Sequence, residues 1–362
     1  MIHFECDYTE GCCPQILEAL STSNFDQTTG YGNDDYCHRA REIIKTLCKA
    51  PHAEVHFLTG GTQANLTVIA SALKSYQGVL SPETGHIAGH ETGAIEACGH
   101  KVLTLPTQDG KITAVQVENY CKAHYADSSR EHTVQPGMVY ISFPTETGLI
   151  YTKKELQELY TVCKNRDLFL FIDGARLGYG LAAEENDCSL EDIAALCDVF
   201  YIGGTKVGAL FGEAVVITNP ALQKDFRYMI KQKGGMLAKG RLLGIQFETL
   251  LKDGLYFSVA KKAVEQARQI KQAFKAQGIS LLFDSPTNQQ FPILTKEQLT
   301  YFEKEFSVNF WQHTEDGKCA VRFCTSWATK DEAMTRLLNS IEKCHFNHIQ
   351  DIYFLPNKKK RK

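Results

Sequence analysis

Apolar residues recur with two different periods along this chain. Between residues 54 and 218, six short runs dense in β-branched and aromatic side chains read as strands: EVHFL (54–58), KVLTL (101–105), MVYIS (138–142), LFLFI (168–172), VFYIG (199–203) and AVVIT (214–218). The intervening segments 62–76, 152–166 and 189–197 carry apolar residues at helical spacing and predict crossover helices. Such alternation predicts an α/β layer built on a mostly parallel sheet. Ahead of it, Tyr36, Ala40, Ile43, Ile44 and Leu47 mark one face of a further helix. Residues 237–277 have helical spacing without a strong strand and predict a connector. After them QQFPIL (289–294), SVNFWQ (307–312) and CAVRFC (319–324) alternate with helical patterns, ending in an amphipathic run from Lys330 to Cys344. This last part predicts a small α+β C-terminal domain.

At 362 residues the chain exceeds the usual size of a single core, which agrees with a large domain and a smaller companion. Apolar residues at 43% and charged residues at 22% exclude a disordered or fibrous protein. A net charge of -3 offers no global attraction for nucleic acid or an anionic membrane, so neither is an expected partner. The longest apolar run, at 168–172, is far short of a membrane span. One local exception is the basic run 358–362, expected to be a solvated tail, with nuclear import or polyanion binding as the alternative. Thirteen cysteines, an odd number, and an opening MIHFECDYTEG without the regions of a secretory signal predict a reducing cytoplasm. Their spacing matches no zinc site, so no metal is expected and most thiols read as small buried hydrophobes.

Four features fall at predicted strand ends, where open α/β sheets place their ligands. Leu58-Thr59-Gly60-Gly61-Thr62 ends a strand and opens a helix, so its amides and the Thr62 hydroxyl suit an anion such as phosphate. A plain tight turn is the alternative. LFLFI runs straight into Asp173-Gly174-Ala175-Arg176, and a carboxylate behind five apolar residues is desolvated and needs a cationic partner, for which a protonated heterocycle nitrogen would serve. A helix-capping Asp with a surface Arg also accounts for the pattern. Following VFYIG, Lys206 stands alone among small and apolar residues, where desolvation lowers its pKa toward that of a nucleophilic amine, unless it snorkels to the surface. His86, after the short apolar strand of Val79-Leu80 and close to His90 and Glu91, is placed to stack on a planar ligand or move a proton, or else is structural. A glycine run at 178–183 imitates a dinucleotide fingerprint but follows Arg176 rather than a strand, and is rejected.

A phosphate cradle, a strand-end Asp and a later strand-end Lys, in that order, are the parts a pyridoxal phosphate enzyme needs. In Ile172-Asp173-Gly174-Ala175-Arg176, in Thr205-Lys206, and in Thr84-Gly85-His86-Ile87 followed by Glu91 and Gly93, the chain resembles the threonine aldolase and aromatic amino acid β-eliminating lyase family of fold type I pyridoxal phosphate enzymes. The resemblance extends to about Cys344. It implies pyridoxal 5'-phosphate as cofactor, an amino acid as substrate, and a homodimer or homotetramer with shared active sites. The division it implies is an N-terminal segment on the small domain (1–30), a large cofactor-binding α/β domain (31–250), a small C-terminal α+β domain (251–350) and the basic tail (351–362).

Carried over position by position, the resemblance makes Lys206 the residue that holds the cofactor covalently, Asp173 the partner of its pyridine nitrogen and His86 the ring stacked over it. Gly60, Gly61 and Thr62 would bind the phosphate, with Thr205 nearby. Arg176 would fix the substrate or the cofactor's phenolic oxygen, and Arg322 would grip the substrate carboxylate. Tyr31 would reach the site of a neighbouring subunit, and His132 would be a second active-site histidine, sharing proton transfer with His86. Three places depart from the family pattern: Cys6-Asp7-Tyr8 stands for Ser-Asp-Thr at a substrate contact, Ser142 to Glu146 replace a Glu-Asn pair, and Lys239 or Arg241 would take the part of a missing arginine after Met236. The implied reaction is cleavage of L-threonine or L-allo-threonine to glycine and acetaldehyde. β-Elimination or transamination of another amino acid is the first alternative, and a non-catalytic protein retaining the fold is the second.

Overall fold

The computed structural model describes residues 1–344, and the basic run 358–362 lies outside them. The central sheet holds β1 (Glu54–Leu58), β2 (Gln77–Pro82), β3 (Val102–Leu105), β4 (Gln135–Ser142), β5 (Phe169–Asp173), β6 (Val199–Gly203) and β7 (Glu213–Ile217). Their order is β1-β7-β6-β5-β4-β2-β3. Neighbours run parallel except at β7, which is antiparallel to both β1 and β6. The physical reason is the short connection after β6, too short for a crossover helix, so the chain turns back beside the strand it has just left. All six runs predicted as strands are strands. The edge of the pattern is longer than expected at β2, where Gly78, Ser81 and Pro82 are buried without an apolar signature.

One helix escapes hydrophobic periodicity. Ala114–Ala126 buries only Val117 and Cys121, and its start is set instead by a capping box in which Thr113 and Gln116 exchange side-chain to backbone hydrogen bonds. Side chains alternate across the sheet, so Val139 and Ile141 of β4 enter one apolar cluster while Met138 and Tyr140 enter the other. That alternation turns Tyr140 toward the end of β5.

The small domain pairs Cys319–Cys324 with Ile293–Leu294, Asn309–His313 and Gln289–Gln290, all antiparallel, over a core that includes Phe274, Phe302, Phe323 and Leu337. Helix Leu255–Ala276 is the connector: Ala260, Ala263 and Val264 enter the large core, and Ile270 and Phe274 the small one. The N-terminal segment divides. Ile2–His3 runs parallel with Phe306–Ser307 of the small domain, whereas helix Pro14–Thr22 lies against helix Arg241–Lys252. Among the described residues no helix is long and apolar enough to cross a membrane.

Two glycines let the ends of β5 and β6 meet. The Gly203 amide donates to the Gly174 carbonyl at 2.9 Å. A Cβ on Gly174 would collide with the Tyr201 carbonyl, and one on Gly203 with the Ala175 carbonyl. This close approach brings Asp173 and Lys206 to one cavity.

Candidate active site

A cavity of about 320 Å³ opens where β4, β5 and β6 end and helix Gly61–Ala72 begins. Thr59, Gly60, Gly61 and Thr62 form one wall. The first amides of that helix have no partner within it, and its dipole favours negative charge, so this wall suits a phosphate.

Asp173 forms the floor and is 4% exposed. Its Oδ2 accepts from the Tyr140 hydroxyl at 2.5 Å and from Asn65 Nδ2 at 3.1 Å, and its Oδ1 from the Ala175 amide at 3.0 Å. Burial alone would raise this carboxyl, but hydrogen bonds from Tyr140, Tyr201 and the amide, with the charge of His86, carry it below its ordinary value. It is therefore held ionised, ready for a cationic partner.

Lys206 lines the same cavity. Burial, and next the nearby Arg176 charge, push its amine down, while Asp7, Asp173 and Glu213 oppose them. Half-buried in the cavity wall, the side chain does not take the snorkelling alternative. Beside it, Thr205 Oγ1 donates to Glu213 Oε1 at 2.8 Å and accepts from the Gly212 amide at 3.0 Å, so its hydroxyl hydrogen is committed within the loop. Burial pushes Glu213 up to about 8 against the Thr205 hydrogen bond and the Lys206 charge.

His86 faces the cavity from the turn after β2. Its Nδ1 lies 2.7 Å from Glu91 Oε1, which also accepts from Asn65 Nδ2 at 2.7 Å. Asn65 thus ties the His86–Glu91 pair to Asp173. Burial would lower the imidazole, but the Glu91 hydrogen bond and the charges of Asp173 and Glu91 carry it above its ordinary value.

Arg176 is in the cavity wall but not free: Nε and Nη2 donate to the two oxygens of Asp7 at 2.7 and 3.0 Å. Asn288 Nδ2 also donates to Asp7, at 2.9 Å. Burial would raise Asp7, but the Arg176 and Lys206 charges and these hydrogen bonds bring it to about 2. Asp7→Ala leaves a buried guanidinium unpaired and should cost about 3–5 kcal/mol of stability in urea unfolding. A midpoint equal to wild type would contradict this. Because the folded pKa lies below the unfolded value near 4, the contribution is complete above about pH 4 and is lost as pH falls toward 2.

Several expected residues lie elsewhere. His132 is exposed, in a single turn ahead of β4, roughly 25 Å from the cavity end of that eight-residue strand. The histidine beside His86 is His90, with ring centroids 5.8 Å apart. Tyr31 is 46% exposed with φ of 61° and does not line this cavity. Cys6 and Arg322 are also outside the lining, where Tyr8 stands instead. Arg322 donates to Gln289 Oε1 and the Glu5 carbonyl, and its Nε is buried without a partner among the described residues. Arg241 donates to the carbonyls of Ser23, Asn24 and Asp26, so it ties down the N-terminal segment.

Over residues 4–297 the chain matches the family model of the beta-eliminating lyases. It belongs to that family. A low-specificity L-threonine aldolase of Pseudomonas aeruginosa is 30% identical to this lyase over 93% of this chain and 96% of its own. The solved threonine aldolase of Leishmania major has 43% identity and a TM-score of 0.92, covering 95% of this chain and 99% of that one. Cystalysin of Treponema denticola, whose structure contains pyridoxal 5'-phosphate, shares the fold at a TM-score of 0.70 and 14% identity, covering 95% and 91%. The chain is a fold type I enzyme, with pyridoxal 5'-phosphate as its cofactor. The residues present fit that group: a helix start for the phosphate, an ionised buried carboxylate for a ring nitrogen and a desolvated amine in the same cavity.

Proposed function

We propose that this lyase cleaves the carbon–carbon bond of L-threonine and L-allo-threonine, releasing glycine and acetaldehyde. The observation that carries the reading is the convergence of Lys206, Asp173, His86 and the Thr59–Thr62 helix start on one cavity, in a chain 43% identical to a threonine aldolase of the same fold.

Lys206 would hold pyridoxal phosphate covalently, Gly60, Gly61 and Thr62 would bind its phosphate, and His86 would stack on its ring. When bound, the cofactor supplies an electron-poor ring that takes up the electron pair released at the substrate's Cα. Asp173, its carboxylate fixed by Tyr140 and Asn65, would hold a proton on the ring nitrogen. Arg176, in the cavity wall and anchored by Asp7 through Nε and Nη2, would fix the substrate or the cofactor's phenolic oxygen. Arg322 has an unpartnered Nε to offer a carboxylate from the small domain. These two guanidinium groups would orient the substrate for cleavage of that bond. We further propose a homo-oligomer in which exposed Tyr31 serves a neighbour's site, and a reducing cytoplasm, supported by thirteen cysteines that are all free.

Product analysis tests the reaction. Purified protein given L-threonine should form acetaldehyde and glycine in equal amounts without ammonia. Ammonia and a 2-keto acid in their place would establish β-elimination on the same cofactor.

A further inference from the structure

A wall suited to an anion has a carboxyl beside it. Glu213 lines the same cavity as Thr59, Gly60, Gly61 and Thr62 and is 3% exposed. Strand pairing explains the placement: Glu213 of β7 stands opposite Leu58, the residue before Thr59, on one side and opposite Gly203 on the other. This puts it between the start of the phosphate wall and the loop that carries Lys206. Its oxygens accept from neutral donors, the Thr205 hydroxyl at 2.8 Å on Oε1 and the Gly204 amide at 3.2 Å on Oε2. Among the described residues no lysine or arginine forms an ion pair with it, and Arg176, in the same lining, is committed to Asp7.

Two negative charges held close together in a buried site, with no cation paired to either, oppose each other, and the weaker acid takes up a proton. A phosphate monoester keeps at least one negative charge at any working pH, so the carboxyl is the group that gives way. We propose that Glu213 sets how tightly this lyase holds its cofactor, admitting the phosphate when its carboxyl carries a proton and opposing it when ionised. The proton comes from solvent: the ionised carboxyl takes up one as the phosphate binds and returns it when the cofactor leaves. This rests on Gly60, Gly61 and Thr62 as the phosphate site and is independent of which substrate bond the enzyme breaks.

The surroundings suit the role. Burial pushes the Glu213 carboxyl up to about 8 against the Thr205 hydrogen bond and the Lys206 charge, with Asp173 adding to the rise. The other titratable groups that face it are the phenols of Tyr201 and Tyr256, which burial pushes above their ordinary value, so they stay neutral. Leu243 and Phe247 of helix Arg241–Lys252 meet the loop from Gly204 to Gly212 and carry no charge. The hold on the phosphate should therefore weaken as pH rises through about 8, by about tenfold between about pH 7 and about pH 9. Lys206 loses positive charge in the same direction, so the share due to Glu213 is the part that vanishes with the phosphate or with the carboxyl.

Pyridoxal, which lacks the phosphate, isolates that share. The full chain, freed of cofactor by dialysis, is titrated with pyridoxal phosphate and with pyridoxal, and binding is read by protein fluorescence. In the wild type the advantage of pyridoxal phosphate over pyridoxal should shrink about tenfold from about pH 7 to about pH 9. In Glu213→Gln it should change by less than about twofold, and at about pH 9 the variant should hold pyridoxal phosphate about tenfold more tightly than the wild type. Glutamine keeps an acceptor for Thr205, and the Gly204 amide retains the Gly212 carbonyl at 2.9 Å, so neither donor is orphaned. An advantage that stays constant with pH in the wild type, or shrinks equally in the variant, would overturn the proposal. If the variant does not fold, the wild-type comparison of the two ligands decides. No advantage of pyridoxal phosphate even at about pH 7 would overturn the phosphate wall, and the proposal with it.

Discussion

Lys206→Ala should abolish L-threonine cleavage, by on the order of 10⁴-fold, without unfolding the protein. The amine sits in the cavity wall, lowered by burial and by Arg176, and makes no hydrogen bond among the described residues. Its removal therefore orphans no buried partner, and the melting temperature should stay close to wild type. What is lost is the desolvated amine that shares one cavity with the phosphate wall and Asp173. Borohydride reduction of the wild-type protein, followed by peptide mapping, should place a pyridoxyl label on Lys206. A label on another lysine, or an alanine variant with appreciable turnover, would contradict the assignment.

Asp173→Asn should lower turnover about 10²–10³-fold, since a neutral amide cannot hold a proton on the ring nitrogen by charge. The loss should appear in every reaction the protein performs on the cofactor, including exchange of the glycine α-proton. The substitution also disturbs a full set of donors: Tyr140, Asn65 and the Ala175 amide all give hydrogen bonds to this carboxylate. An amide nitrogen turned toward any of them leaves a buried donor unmatched, which should cost about 1–3 kcal/mol in urea unfolding. Near-normal turnover in the variant would contradict the ring-nitrogen role.

By itself the sequence determined the α/β alternation, the six main strands and the cavity residues that each follow a strand directly. LFLFI ends at Asp173, VFYIG leads to Lys206, and EVHFL leads to Gly60 and Gly61. These are legible because a strand's period and its terminus are local properties, and ligands of open α/β sheets gather where strands end. Tertiary structure alone decided what surrounds them. Asp7 meets Arg176 across 169 residues of sequence, and nothing near either residue announces an ion pair. Asn65 looks like an ordinary polar position on a helix, yet its side chain bridges Glu91 and Asp173. Glu146 falls in a turn whose departure from the family pattern is visible, but its two-donor oxygen and its bare one depend on Ser142 and on a backbone amide 60 residues away. His132 fails for the converse reason: spacing to the next strand places a residue along the chain, while the direction of that strand put this one at the end away from the cavity. Strand ends are written into local sequence, whereas hydrogen-bond partners and charge pairs arise only when distant segments are packed together, and they set the protonation states on which the chemistry rests.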